Sequence, residues 1–211
     1  MELTLSLQEH LTRLSVLHPT LCPRQVLGVR IARLACTLLG VDPALERKAM
    51  FVYMEIGRCA ADAVMIVTTA SPSNGLMQLM DYGKVAATFV NLRTQEAIRI
   101  SERRDSRDIA VRIMPSSLSA WEAQRDAYQI MEYDQLFRWQ SVRLNQPLPL
   151  IPDKHAIICE SCGDRVNEHR EVVIEGKTLC KLCAFGAYYA ADSETILSPS
   201  KLPDHLVCSH S

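Results

Sequence analysis

The chain has 211 residues, of which 48% are apolar and 22% charged, and its formal net charge is −1. That length accommodates one medium domain and a small one, and the composition excludes a disordered chain. The near-zero balance leaves no bulk field to draw the whole molecule to nucleic acid or anionic lipid.

Residues 1–17 carry Glu2, Glu9, His10 and Arg13 among their leucines, unlike an export signal. The most apolar run, 26–41, is broken by Arg30 and Arg33, so no membrane span is expected. The location expected is the cytoplasm, where eight cysteines stay reduced and clustered ones serve as metal ligands sooner than as disulfides.

Ser6-Leu7-Gln8-Glu9 is a capping box, and Leu7, Leu11, Leu14 and Leu17 follow at helical spacing, which predicts a first helix to about residue 17. Pro19 and Pro23 bracket a tight connection. Pro23 suits the first turn of a second helix, apolar on most of its circumference, that stops at Gly40. Its core stripe is expected at Leu27, Ile31, Leu34 and Leu38. Residues 51–56 have strand character, 59–68 read as a short helix, and Ser71-Pro72-Ser73-Asn74-Gly75 reads as a loop. Segments 76–80, 85–92 and 97–101 then read as successive strands of a meander.

Arg99, Arg103, Arg104, Arg107 and Arg112, diluted by Glu102, Asp105 and Asp108, read as a solvated charged loop. A second capping box, Ser119-Ala120-Trp121-Glu122, opens a long helix to about residue 144 with a stripe of Ala123, Ala127, Ile130 and Phe137. The fold class expected over residues 1–144 is α+β, with helices packed on a mainly antiparallel sheet. A Pro-rich linker at 145–155, a small four-cysteine zinc ribbon at 156–190 and a flexible tail at 191–211 complete the expected organisation.

Cys159-Glu160-Ser161-Cys162 is answered by Cys180-Lys181-Leu182-Cys183. Two such pairs close a tetrahedron of thiolates around Zn²⁺ with no position left for substrate, which describes a structural site. A redox dithiol or two disulfides are the alternatives. Around these cysteines Arg165, Arg170, Lys177 and Lys181 are interleaved with Glu160, Asp164, Glu168, Glu171 and Glu175. Phosphate binding needs a single-sign stripe instead.

Cys22 precedes Pro23 at the start of the second helix, where the unpaired N–H groups are expected to lower its pKa. His18, four residues earlier, is a candidate metal ligand or a base for that sulfur. Cys59 and Asp62 are expected on one face of the short helix. For His18, Cys22 and Cys59 a packing role stands beside the chemical one.

These residues carry a resemblance. His18-Pro19-Thr20-Leu21-Cys22-Pro23, Leu27-Gly28-Val29-Arg30, Glu55-Ile56-Gly57-Arg58-Cys59-Ala60-Ala61-Asp62-Ala63 and Asp81-Tyr82-Gly83-Lys84-Val85-Ala86 occur in the order found in the FmdE family, named for the E component of formylmethanofuran dehydrogenase. Residues 18–101 resemble that domain, and a four-cysteine ribbon accompanies it in part of the family. The resemblance implies an α+β domain, commonly dimeric, with a cleft lined by Cys and His and shaped by Asp62, Asp81 and Lys84. The chain departs from the full pattern. Pro19 and Thr20 stand where the family has Gly and a second His, Arg24 where it has Gly, and Ala70 where it has a later Cys. Neither Thr nor Ala can replace imidazole or thiolate at a transition metal.

His18, Cys22 and Cys59 remain, either as three ligands of an open second transition-metal site or as a relic pocket. The functional reading is a metal-binding accessory or regulatory protein, a homodimer acting through a protein partner or a small ligand. It is preferred to an enzyme because ligand positions are lost. Two alternatives stay open: a metal-dependent enzyme built on the His18, Cys22 and Cys59 pocket, and a transcription-linked binder of nucleic acid or polymerase through the ribbon.

Overall fold

Ser6 and Glu9 close both halves of their capping box, and α1 runs Leu7–Leu14, shorter than the expected reach to residue 17. Its buried His10, Leu11 and Leu14 face the protein. The central helix α2 spans Pro23–Leu39 and ends on Gly40 in the left-handed conformation, as its apolar run and following glycine predict. Leu27, Ile31 and Leu34 are core residues, but Leu38 is 45% exposed. In the last turn the stripe passes instead through Ala35, Cys36 and Leu39. Burial pushes the Cys36 thiol up to about 12, so this sulfur behaves as a small hydrophobe.

The computed structural model describes residues 1–149 and 155–190, and the chain divides into two units, Met1–Pro152 and Asp153–Ser211. The middle of the expected linker and the expected tail lie outside the described residues. In the first unit β1 (Met50–Met54), α3 (Cys59–Thr68), a 3₁₀ turn at Pro72–Asn74, β2 (Met77–Leu79), β3 (Ala86–Asn91) and β4 (Ala97–Glu102) follow α2. Helices α4 (Ser106–Ile113), α5 (Ala120–Ile130) and α6 (Tyr133–Leu136) lead to β5 (Phe137–Val142). The sheet has the order β2-β1-β3-β4-β5, and all its pairs are antiparallel except β1 with β2. This is the mixed fold expected, helices on a mostly antiparallel sheet. Among the described residues no helix is long and apolar enough to cross a membrane.

Three expectations need correction. The strand at 77–79 does not continue a meander: it pairs in parallel with β1, Val52 opposite Met77, because α3 carries the chain across between them. The arginine-rich stretch is not one loop: Arg99 lies in β4, Arg103 and Arg104 in the turn after it, and Arg107 and Arg112 in α4. Arg99 pairs bidentately with the buried Glu55 carboxylate at 2.6 and 2.8 Å, and Arg103 holds Asp105. The long helix predicted to residue 144 stops at Ile130. Arg30 captures its last carbonyls, and Phe137-Arg138-Trp139-Gln140-Ser141-Val142 pairs along β4. Aromatic and β-branched residues beside an open strand edge outweigh helical patterning there. Of the stripe assigned to that helix, Ala123 and Ala127 are buried, Ile130 is 68% exposed, and Phe137 is buried in the strand.

Helices α2 and α3 meet at Gly28. A Cβ there would stand 2.7 Å from both the Ala60 carbonyl oxygen and the Ala63 Cβ. Gly28→Ala gains about 1 kcal/mol in helix propensity but forces two packed helices apart. A net loss of about 1–3 kcal/mol is expected. A lower urea midpoint at unchanged slope will report it, and an unchanged or higher midpoint contradicts it.

The second unit contains the hairpins β6 (Ala156–Ile158) with β7 (Arg165–Asn167) and β8 (Val172–Ile174) with β9 (Lys177–Leu179), then α7 (Lys181–Phe185).

Candidate metal centre and ligand cavity

The tip of the first hairpin in the second unit carries Cys159 and Cys162. Gly163, at φ 77°, takes a left-handed turn that a Cβ would strain, and its N–H returns to the Cys159 carbonyl at 3.0 Å. The other pair sits at the start of α7: Cys180 is its N-cap and Cys183 lies in its first turn. The four ligand atoms all lie within 4.8 Å of one another, and Cys162 Sγ is 3.9 Å from Cys180 Sγ. A tetrahedral ion with Zn–S arms of about 2.3 Å sets sulfurs about 3.8 Å apart. The quartet fits such an ion.

Backbone donors support the negative charge that binding requires. The Cys180 N–H donates to Cys159 Sγ at 3.2 Å and the Cys183 N–H to Cys180 Sγ at 3.3 Å. N–H groups of Cys162 and Cys180 hold the Cys159 thiol down at about 6. At Cys162 the Asp164 N–H favours thiolate, but burial and the neighbouring thiols prevail and push it up to about 12. Four adjoining sulfurs thus cannot all ionise by themselves, whereas a bound divalent cation favours all four thiolates.

In the first unit, Cys22, Pro23, Arg24 and Leu27 of the α2 start, Cys59 of α3, Glu102, Arg107 of α4, and Trp121, Gln124 and Tyr128 of α5 line a cavity of about 270 Å³. Both thiols stand at helix starts. Cys22 precedes α2 with its N–H donating to Gln25 Oε1 at 2.6 Å, and Cys59 opens α3 after Arg58, whose φ is 68°. The expected lowering of the Cys22 pKa is reversed. Burial outweighs the helix start and raises it, with the Cys59 thiol beside it adding to the rise.

His18 does not turn toward these sulfurs as a base: its Nε2 lies 2.9 Å from Asp62 Oδ2. Among the described residues, His18, Cys22 and Cys59 do not form a group whose ligand atoms converge within 4.8 Å. Asp81 (φ 52°) and Lys84 stand on an exposed turn and do not line this cavity. Ala70 is fully buried.

The cavity's polar side was not visible in the sequence. The Glu102 carboxylate accepts from Ser106 Oγ at 3.1 Å and from Arg107 Nε at 3.2 Å. The Tyr128 side chain is buried and its hydroxyl has no hydrogen-bond partner. Burial and then the Glu102 carboxylate push that phenol up to about 12, so it remains a donor. The only local signal was Tyr128 itself, one turn beyond Gln124 and two beyond Trp121 on the α5 face.

Comparison with known proteins agrees with both units. The family described as "FmdE, Molybdenum formylmethanofuran dehydrogenase operon" matches residues 17–142, and "Prokaryotic dksA/traR C4-type zinc finger" matches residues 156–189. A "Probable S-adenosyl-L-methionine-binding protein" of Archaeoglobus fulgidus is 27% identical over 207 residues, which cover 87% of this chain and 55% of the relative. The chain therefore spans about half the length of that relative. The crystal structure of a tungsten formylmethanofuran dehydrogenase FmdE-like protein from Syntrophus aciditrophicus superposes with a TM-score of 0.56 at 19% identity. It covers 89% of this chain and 96% of the other, a likeness of fold. With more than half of its residues matched by that family, and with a four-cysteine zinc-ribbon-like region after them, the chain belongs to the FmdE family.

Proposed function

We propose that this FmdE-family protein is an accessory or regulatory metal-binding protein rather than a metalloenzyme. Its ion is a structural Zn²⁺ held by Cys159, Cys162, Cys180 and Cys183, and its cavity receives a small ligand. The observation that carries the first half is the convergence of four sulfurs, a donor set that suits zinc and leaves no open position. Supporting the second half is a cavity of about 270 Å³ lined by Trp121, Gln124 and a Glu102–Arg107 pair, in which, among the described residues, no three metal-ligating side chains converge. The archaeal relative's description as a probable S-adenosyl-L-methionine-binding protein supports a small-ligand role in kind. Self-association belongs to the same reading: β5 is an edge strand that leaves Trp139 41% exposed.

The enzyme reading draws on the presence of both Cys22 and Cys59 in one cavity. Metal content per chain separates the two. In the Cys22→Ser/Cys59→Ser double variant it is expected to equal that of the wild type. Loss of one ion per chain, confined to that variant, favours a metal-dependent active site and overturns the proposal.

A further inference from the structure

The geometry points to a second cation site in the C-terminal unit, formed by His155, His169 and Glu171, for a divalent ion that accepts nitrogen and oxygen ligands. It is separate from the sulfur quartet in its residues and its chemistry. His155 Nε2 lies 3.0 Å from Glu171 Oε1, and His169 Nδ1 lies 3.9 Å from the same oxygen. Their ligand atoms all fall within 4.8 Å. Zinc–nitrogen and zinc–oxygen arms of about 2.1 Å at tetrahedral angles place ligand atoms about 3.4 Å apart. The two contacts bracket that spacing.

A second observation is independent of these distances. Glu171 Oε2 is buried without a hydrogen-bond partner. A carboxylate whose second oxygen is removed from water and left without a donor is costly, and a cation bound to the group through Oε1 offsets part of that cost.

The fold brings the two imidazoles together by an unusual route. The Glu168 N–H donates to the His155 carbonyl at 2.9 Å and closes the mouth of the first hairpin. Glu168 and His169 then take φ of 59° and 54°, consecutive left-handed residues that fold His169 back over His155. The rings stack with centroids 3.8 Å apart and planes 6° from parallel. Nitrogen lone pairs lie in the ring plane, so an ion bound by both rings turns them out of parallel. Two imidazoles and one carboxylate form a nitrogen and oxygen ligand set suited to Zn²⁺ or Co²⁺ and harder than the thiolate cluster.

The test uses the full chain, its sulfur site filled with Zn²⁺, titrated with Co²⁺ near neutral pH and followed by native mass spectrometry and absorption. One additional ion per chain is expected, with weak visible bands and no sulfur-to-cobalt charge transfer. It should be lost in His169→Gln/Glu171→Gln and kept in Cys22→Ser/Cys59→Ser. The zinc retained in the first variant shows that its fold survives. No additional ion, or one kept in His169→Gln/Glu171→Gln, overturns the site. Should that variant lose its zinc, imidazole ¹⁵N shifts of the wild type decide. Metal-type shifts of His155 and His169 on Zn²⁺ addition are expected, and unmoved resonances refute the assignment.

Discussion

The 211-residue chain carrying Cys183→Ser, or the wild-type chain stripped by a strong chelator, is expected to lose the ordered C-terminal unit while the N-terminal unit stays folded. Among the described residues of that unit only Cys159 and Val166 are buried apolar side chains. Fully burying a side chain of that size contributes about 1.5–3 kcal/mol, far below the entropy of ordering some thirty residues. A structural zinc site supplies about 10–16 kcal/mol at neutral pH, and folding and binding are then one event. The N-terminal unit has a core of its own, with α2 buried along most of its length against α3, α5 and the sheet. Hydrogen exchange followed by mass spectrometry is the direct measure. Residues 155–190 should exchange at unfolded rates while α2 and β3 keep their protection. A metal-free chain still protected over 155–190 removes the structural role of the ion, and recovery of disulfides among the four sulfurs in such a chain replaces it with a covalent one.

Arg30→Leu should cost the N-terminal unit about 3–5 kcal/mol. Arg30 is 7% exposed, deep in α2, and donates to the carbonyls of Tyr128 at 2.9 Å, Gln129 at 3.0 Å and Met131 at 2.6 Å. Its guanidinium also lies 4.4 Å from the centre of the Tyr133 ring. One side chain thus satisfies the end of α5, where intrahelical partners run out, and places a cation at the negative end of the helix. Leucine fills the volume but leaves those carbonyls without a donor. Arg30→Lys should recover only part of the loss, because an ammonium lacks the planar fork that reaches several acceptors. Urea titration measures both variants, and a loss below about 1 kcal/mol for leucine puts the clamp among contacts of no consequence. Tyr128 sits at this helix end and also lines the cavity, so fraying of α5 should alter the reactivity of Cys22 and Cys59 toward alkylation.

Much of the fold was legible because its signals are local. Both serine capping boxes, Pro23 at a helix start and Gly40 at a helix end act over one turn and appear as written. The cysteine quartet is legible for a related reason: a tetrahedron of sulfurs constrains spacing so strongly that sequence alone shows it. What failed depends on partners distant in the chain. Ile130 ends a helix because Arg30, a hundred residues earlier, takes its last carbonyls. Phe137 to Val142 extends because β4 offers an unpaired edge. Met77 joins β1 rather than β3 because α3 returns it there. The cavity was half legible for the same reason. Cys22 and Cys59 announce themselves as thiols at helix starts, whereas Arg107 and Tyr128 reach it only through the packing of α4 and α5 and Glu102 only at the end of β4. His18 shows the reverse case, a residue noticed for its chemistry that geometry commits to Asp62.

The start of α2 has a further consequence. Serine, threonine or aspartate at position 22 would cap that helix better than a neutral thiol does. A hydroxyl there should therefore raise thermal stability slightly rather than lower it. The position forgoes the stronger helix start and offers the adjoining hollow a soft, polarisable atom instead, which a hydroxyl cannot imitate toward thiophilic chemistry.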